Sequence, residues 1–342
     1  MALPLPSFFN PDNAALYDYE PDLQRVFEEA YQYAGDHQIG SAINDTFKIE
    51  VVGIDLQKDF CFPQGTLYVA GRSGTGAIDD NRKIATFLYQ NLPVITSTRP
   101  TLDSHLPWQI FFCSFWEDDN GVPCQPHTQI EIADIEAGKY RVSNKAAFLV
   151  NGNYQWLDNY ARHYVAKLKE AGKYTLYLWP WHCILRTGGH AMAGVISEAM
   201  LFHAWVRGSQ SSPMVKGLSP FTENYSVFAP EVLVSQDGKP VGQRNTTIIN
   251  DLLRNDAIVF LGQAASHCVA SSIDDLLKDI LIQDPKLAQK VYVVEDCMSS
   301  VVVPGMVDFT PQFEASLDRY RNAGMHVVKS TDPIQSWPGI RL

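Results

Sequence analysis

Residues 257–278, AIVFLGQAASHCVASSIDDLLK, constrain the fold more than any other stretch of the chain. Ile258 to Leu261 form an unbroken apolar run closed by Gly262, the pattern of a short buried strand. A turn of small residues follows, Gln263-Ala264-Ala265-Ser266, and then Cys268. Beyond it Val269, Ile273, Leu276 and Leu277 recur at helical spacing, while Asp274, Asp275 and Lys278 face elsewhere. A strand that turns directly into a helix belongs to a parallel α/β sheet, and the turn lies at its ligand-facing edge. A cysteine there meets unpaired backbone N–H groups and the positive end of the helix dipole, both of which favour a thiolate. The alternative is an inert core thiol, the commonest fate of a free cysteine.

The same alternation runs along most of the chain. Strands are predicted at 48–54, 93–98, 174–179, 258–261, 290–295 and 324–328, with a short strand-like run at 214–217. Helices are predicted at 79–91, 153–172, 191–207, 245–255 and 311–323. This order predicts an α/β fold, a three-layer doubly wound sandwich with a mostly parallel sheet. Residues 1–46, rich in Pro, Tyr, Asp and Asn, read as an arm packed on the domain, with one amphipathic helix near 23–31. The rest, 47–335, reads as one domain, interrupted by a polar, Gly-punctuated insertion near 116–150.

Composition narrows the class of function. A net charge of −11 argues against nucleic-acid or anionic-membrane partners, which need a basic surface. No apolar run approaches about 18 residues, so no membrane span is expected. The N-terminus lacks a basic segment followed by an apolar one, so no secretory signal is expected. The six cysteines carry no CxxC pairing, which fits free thiols in a reducing compartment, the cytoplasm by default.

Several predicted strands end in polar residues that a parallel sheet would gather along one edge: Asp55 after the first, Asp103 and His105 after the second, His182 after the third, Cys268 after the 258–261 strand. Asp103, His105 and His182 are carboxylate and imidazole donors suited to Zn²⁺, Fe²⁺ or Mn²⁺ with open positions. A capped loop and a hydrogen-bonded core histidine are the plainer alternative. Asp55, Lys216 and Cys268 have the chemistry of a base, a cation and a nucleophile in covalent catalysis. A solvated lysine and a turn aspartate are the plainer readings of the first two. No GxxxxGK, GxGxxG or GxSxG motif is present.

Four stretches together resemble the nicotinamidase and isochorismatase-like cysteine hydrolases. They are Val52-Gly53-Ile54-Asp55-Leu56-Gln57-Lys58-Asp59-Phe60 with Pro63 to Val69; Trp179-Pro180-Trp181-His182-Cys183-Ile184-Leu185-Arg186-Thr187-Gly188-Gly189; Lys216-Gly217 with Tyr225 to Phe228; and 262–275. The Trp-Pro-x-His-Cys run is similar to the nicotinamidase branch in particular. The resemblance implies a catalytic triad of Asp55, Lys216 and Cys268, and a metal at Asp103, His105 and His182, zinc first among the candidates. It further implies a cis Gln263–Ala264 peptide, an oxyanion hole from the Ala264 and Cys268 amides, and a ring pocket lined by Phe60 and Trp179. The implied reaction is hydrolysis of a small carboxamide to the acid and ammonia through a Cys thioester. A ureido, carbamoyl or aliphatic amide is the alternative substrate class, and a non-catalytic binding protein on the same fold a third reading. Such relatives often self-associate, so a homo-oligomer is expected. The chain departs from the pattern in Gln109, near the place of a further histidine, in Arg186, where glycine is usual, and in insertions near 116–150 and 229–245.

Overall fold

Six consecutive buried residues in each of Ile49–Ile54 and Ala257–Gly262 place these strands at the centre of a sheet. In the computed structural model, which describes residues 3–172 and 174–342, they pair in parallel with Ile54 opposite Gly262. The first two residues of the predicted arm lie outside the described residues. The six-stranded sheet has the order His326–Val328, Val291–Val294, Ala257–Gly262, Ile49–Ile54, Ser97–Asp103, Met214–Lys216. Ile49–Ile54 pairs in parallel with both neighbours, and Val291–Val294 with both of its own. Ile49, Val51, Ala257, Val259 and Leu261 join one apolar core. The residues that alternate with them, Val52, Ile54, Ile258 and Phe260, are equally buried, so both faces of the sheet are covered. The predicted α/β sandwich is therefore present.

By its contacts the chain divides into two compact units. The first takes residues 1–102, 191–214 and 246–342. It holds most of the sheet, with helices Gly76–Gln90, Gly194–Arg207, Ala270–Gln283 and Thr310–Asn322. The N-terminal segment packs within it: Asp22 caps helix Leu23–Asp36, Phe9 lies against Tyr89, and Tyr19 donates to the buried Glu198, as does Tyr89 at 3.0 Å. The second unit takes residues 103–190 and 215–245. Its core surrounds helix Tyr154–Glu170, whose Leu157, Tyr160, Ala161, Tyr164 and Leu168 pack on Ile110, Phe112, Phe115 and Trp116. Both predicted insertions fall inside this unit.

Two predicted strands need correction. The strand expected at 93–98 runs instead over Ser97–Asp103, through Arg99 and Pro100. Arg99 is held there by Glu50 at 2.6 Å and Asp251 at 2.7 Å, long-range partners that compensate for weak local strand propensity. The strand expected at 174–179 is reduced to Leu176–Tyr177 and pairs antiparallel with Gln129–Ile130, not with the central sheet. The segment 116–150 is more ordered than its polar composition suggests: Trp116–Asp118 pairs antiparallel with Tyr140–Val142, and Ile132–Glu136 is a short helix. Among the described residues no helix is long and apolar enough to cross a membrane.

Candidate functional site

In the first unit, Asp55 and Cys268 leave the C-terminal ends of two neighbouring parallel strands. Gly262 makes that close pairing possible: its φ is +118°, and a Cβ would lie 2.2 Å from the Ile54 carbonyl oxygen. Asp55 is fully buried and takes φ +46°. Thr101 fixes it from the adjacent strand, donating its hydroxyl to Asp55 Oδ1 and accepting the Asp55 N–H at 2.9 Å. Cys268 lies in a wide helical turn, Ala265–Val269, that leads into helix Ala270–Gln283. It is 8% exposed, and Ala264 6%, so both border the protein interior. The Gln263–Ala264 peptide bond is cis, as the resemblance implied. Phe60 lies on the short helix Lys58–Cys61 and is buried. None of the six cysteines is in a disulfide, and all are buried.

In the second unit, Asp103, His105 and His182 bring one ligand atom each within 4.8 Å of one another. The His105 Nδ1–H donates to the Gly217 carbonyl at 3.2 Å, and the His182 Nδ1–H to the Pro180 carbonyl at 2.8 Å. A carbonyl only accepts, so these bonds leave each neutral imidazole with its Nε2 lone pair turned to Asp103, at 2.9 and 3.6 Å. Two nitrogen lone pairs facing one carboxylate oxygen oppose each other unless a cation lies among them. Outer-shell carbonyls that fix the tautomer are usual at metal-binding histidines. The donor set therefore fits a divalent ion, with Zn²⁺, Fe²⁺ and Mn²⁺ all compatible.

Lys216 is not a solvated lysine. Its side chain is 2% exposed, and its ammonium reaches Asp103 Oδ1 at 3.0 Å and the Asn224 carbonyl at 2.8 Å. Burial works against the Asp103 charge, but His105 and Lys216 hold its carboxyl well below the usual range. Burial takes His105 down; burial also lowers His182, but there the neighbouring Asp103 carboxylate outweighs it and the net direction is up.

Trp179 is oriented by its indole N–H, which donates to the Tyr225 hydroxyl at 3.0 Å. Gln109 does not replace the missing histidine as a ligand. Its amide donates to the Gly217 and Ser219 carbonyls at 2.5 and 2.8 Å, bracing the strand end that carries Lys216. Arg186 takes φ +77°, the left-handed region where glycine is at ease, so the residue is unusual but the backbone is not. Glu223 is a neighbour that sequence reading missed: buried, and pushed up to about 8 by burial and then by the charge of Asp103. The only sequence signal was a carboxylate in the apolar-flanked segment between Lys216 and Tyr225.

No protein-family model matches the chain, and no curated protein matches its sequence. Among solved structures it is similar to the Acinetobacter baumanii nicotinamidase/pyrazinamidase, with TM-score 0.50 and 19% identity over 84% of this chain and 99% of that one. It is also similar to the yeast nicotinamidase (TM-score 0.49, 16% identity, 82% of this chain and 99% of that one). A third is the Pyrococcus horikoshii pyrazinamidase in complex with zinc (TM-score 0.42, 16% identity, 82% and 99%). The first of these, at its low identity, speaks for the fold alone: the chain shares the α/β architecture of that structure.

Proposed function

We propose that the protein is a cysteine amidohydrolase that converts a small, nicotinamide-like carboxamide to the acid and ammonia. The observation that carries this reading is the pairing of Ile54 with Gly262, which sends Asp55 and Cys268 off the ends of adjacent parallel strands. In this reading Asp55 accepts the Cys268 thiol proton as sulfur attacks the carboxamide carbon. The Ala264 and Cys268 backbone N–H groups receive the developing oxyanion. Asp55 then passes the proton to the departing nitrogen, which leaves as ammonia, and the acyl group stays on sulfur as a thioester. Water adds to the thioester, Asp55 takes its proton, and the acid leaves as the thiol is restored. Lys216 is the buried cation of the triad.

Asp103, His105 and His182 are the proposed holders of a divalent ion, zinc first among the candidates. Such an ion would supply an open Lewis-acid position for a ring nitrogen or a water. Phe60 and Trp179 are the proposed walls for the ring. The proposed organisation keeps residues 1–46 as an arm and 47–335 as the hydrolase domain, acting on a small molecule and self-associating as such enzymes often do.

The test is ammonia release from nicotinamide by wild type and by Cys268→Ala. Ammonia from wild type alone supports nucleophile and substrate together. Turnover of a ureido or aliphatic amide in place of nicotinamide, undiminished by exhaustive chelation, would move the substrate class. Equal rates from both proteins would refute the nucleophile. A Cys268 that iodoacetamide labels no faster than a free thiol, with no amide turned over, would favour a binding protein on this fold.

A further inference from the structure

Helix Gly76–Gln90 presents an apolar stripe of Ala77, Ile84, Ala85 and Leu88, yet Asp80 and Asn81 stand on the same buried face. Asp80 is 3% exposed. Its Oδ2 accepts the Gln263 side-chain amide at 2.8 Å and the Ser299 hydroxyl at 2.6 Å. Ser299 in turn accepts the Ala265 N–H on its backbone carbonyl at 2.8 Å, and the Gln263 N–H is held by the Ile54 carbonyl at 2.8 Å. Ala264 is thus flanked on both sides by residues tied to one carboxylate, Gln263 directly and Ala265 through Ser299. The site is fitted closely. Gly76, one turn before Asp80, leaves the room for Ser299, since a Cβ there would lie 2.6 Å from the Ser299 hydroxyl and 2.9 Å from the Ala70 carbonyl oxygen.

A buried carboxylate is a costly way to fill a helix–sheet interface that an apolar side chain would fill at no electrostatic cost. Burial pushes this one up to about 6 in spite of the two hydrogen bonds and the nearby Lys83. Of its two acceptor contacts, one holds Gln263, directly before Ala264, and the other holds Ser299, whose carbonyl holds Ala265 directly after it. We infer that Asp80 is a positioning residue for acyl transfer, clamping Gln263 and Ser299 so that the Ala264 N–H between them is held toward the oxyanion. The inference rests on the amidohydrolase reading above. It needs no contact between Asp80 and substrate. A misplacement of about 1 Å in an oxyanion donor is worth roughly 10²-fold in rate.

The test measures ammonia release from nicotinamide, pyrazinamide, propionamide and an N-carbamoyl amino acid. Wild type, Cys268→Ala, Asp80→Ala, Asp80→Asn and Gln263→Met are compared, with iodoacetamide labelling of Cys268 and thermal melts on each. Asp80→Ala and Gln263→Met should lower kcat about 100-fold, leave KM within about twofold, and leave Cys268 labelling at the wild-type rate. Asp80→Asn should keep kcat within about threefold, because both donors reach one oxygen and an amide oxygen accepts both. A folded Asp80→Ala or Gln263→Met with wild-type kcat would overturn the clamp. So would equal losses of kcat and melting temperature in Asp80→Ala and Asp80→Asn, the pattern of a purely structural carboxylate. If wild type releases no more ammonia than Cys268→Ala from any of the four, the amidohydrolase reading itself fails, and the clamp with it.

Discussion

Replacing Gly217 by alanine should cost divalent-ion affinity out of proportion to stability. Gly217 takes φ +88°, and a Cβ on it would lie 2.8 Å from both Asp103 Oδ1 and His105 Cε1. Ordinary contact begins at 3.4 Å, so the two proposed ligands must retreat by about 0.6 Å. That is roughly three times the ~0.2 Å tolerance of a metal–ligand bond. The backbone has no easy escape, because the Gly217 carbonyl holds both the His105 Nδ1–H and the Gln109 amide. Rotating the residue out of the left-handed region would release the tautomer lock. Disturbing outer partners of this kind typically costs about 10- to 100-fold in affinity, or about 1.4–2.8 kcal/mol. The left-handed conformation adds a separate cost of about 1–2 kcal/mol to folding. Gly138→Ala isolates that second cost, since Gly138 takes φ +73° with nothing within 4 Å of its Cβ position. The assay is competition for zinc between each protein and a chromophoric chelator, with urea unfolding of the metal-free proteins alongside. Gly217→Ala should bind at least tenfold more weakly than wild type, and Gly138→Ala equally well. Wild-type affinity in Gly217→Ala, or the same loss in both variants, would refute the reasoning. A wild type that binds no zinc, iron or manganese would remove the metal reading altogether.

Further outcomes follow from the first unit. Gly262→Ala drives a Cβ to 2.2 Å from the Ile54 carbonyl oxygen in the middle of the sheet. It should cost more than about 4 kcal/mol, seen as insoluble expression or loss of the cooperative urea transition, and a normal transition would refute the close pairing. Thr101→Val removes the hydroxyl that fixes Asp55, so kcat should fall about tenfold and folding stability by about 1–3 kcal/mol; an unchanged kcat would show that Asp55 needs no such support. Asp80 carries a carboxyl pushed up to about 6 from 3.8. A carboxyl raised on folding contributes its full stability below about pH 4 and loses it as pH rises through 6, here by about 3 kcal/mol. Asp80→Asn lacks that dependence, so its urea-derived stability relative to wild type should rise between pH 4 and 7 by roughly this amount, and a pH-independent difference would refute the assignment.

The chain disclosed its strand ends more readily than the groups that hold them. The runs before Asp55 and Cys268 are apolar and short, so local pattern alone located both residues at the sheet edge. The strand that ends at Asp103 was misplaced because its sequence, STRPTLD, has little apolar content. Its stability comes from Arg99 bridging to Glu50 and Asp251, partners 49 and 152 residues away, which no window along the chain can reveal. His182 does lie beside Asp103 and His105, but not by the route its sequence position suggests: it follows not a central strand but a two-residue antiparallel one, and the Pro180 carbonyl sets its ring. Asp80 offered a usable signal, a carboxylate at helical spacing with Ala77 and Ile84 on a face that must be buried. What such a residue binds is set by a serine 219 positions later, so the sequence can mark it as anomalous but only the fold can say why. A charged residue on an apolar stripe is therefore the most economical place to look for supporting groups in a chain like this one. The Asp80 variants test that rule and the clamp in the same experiment.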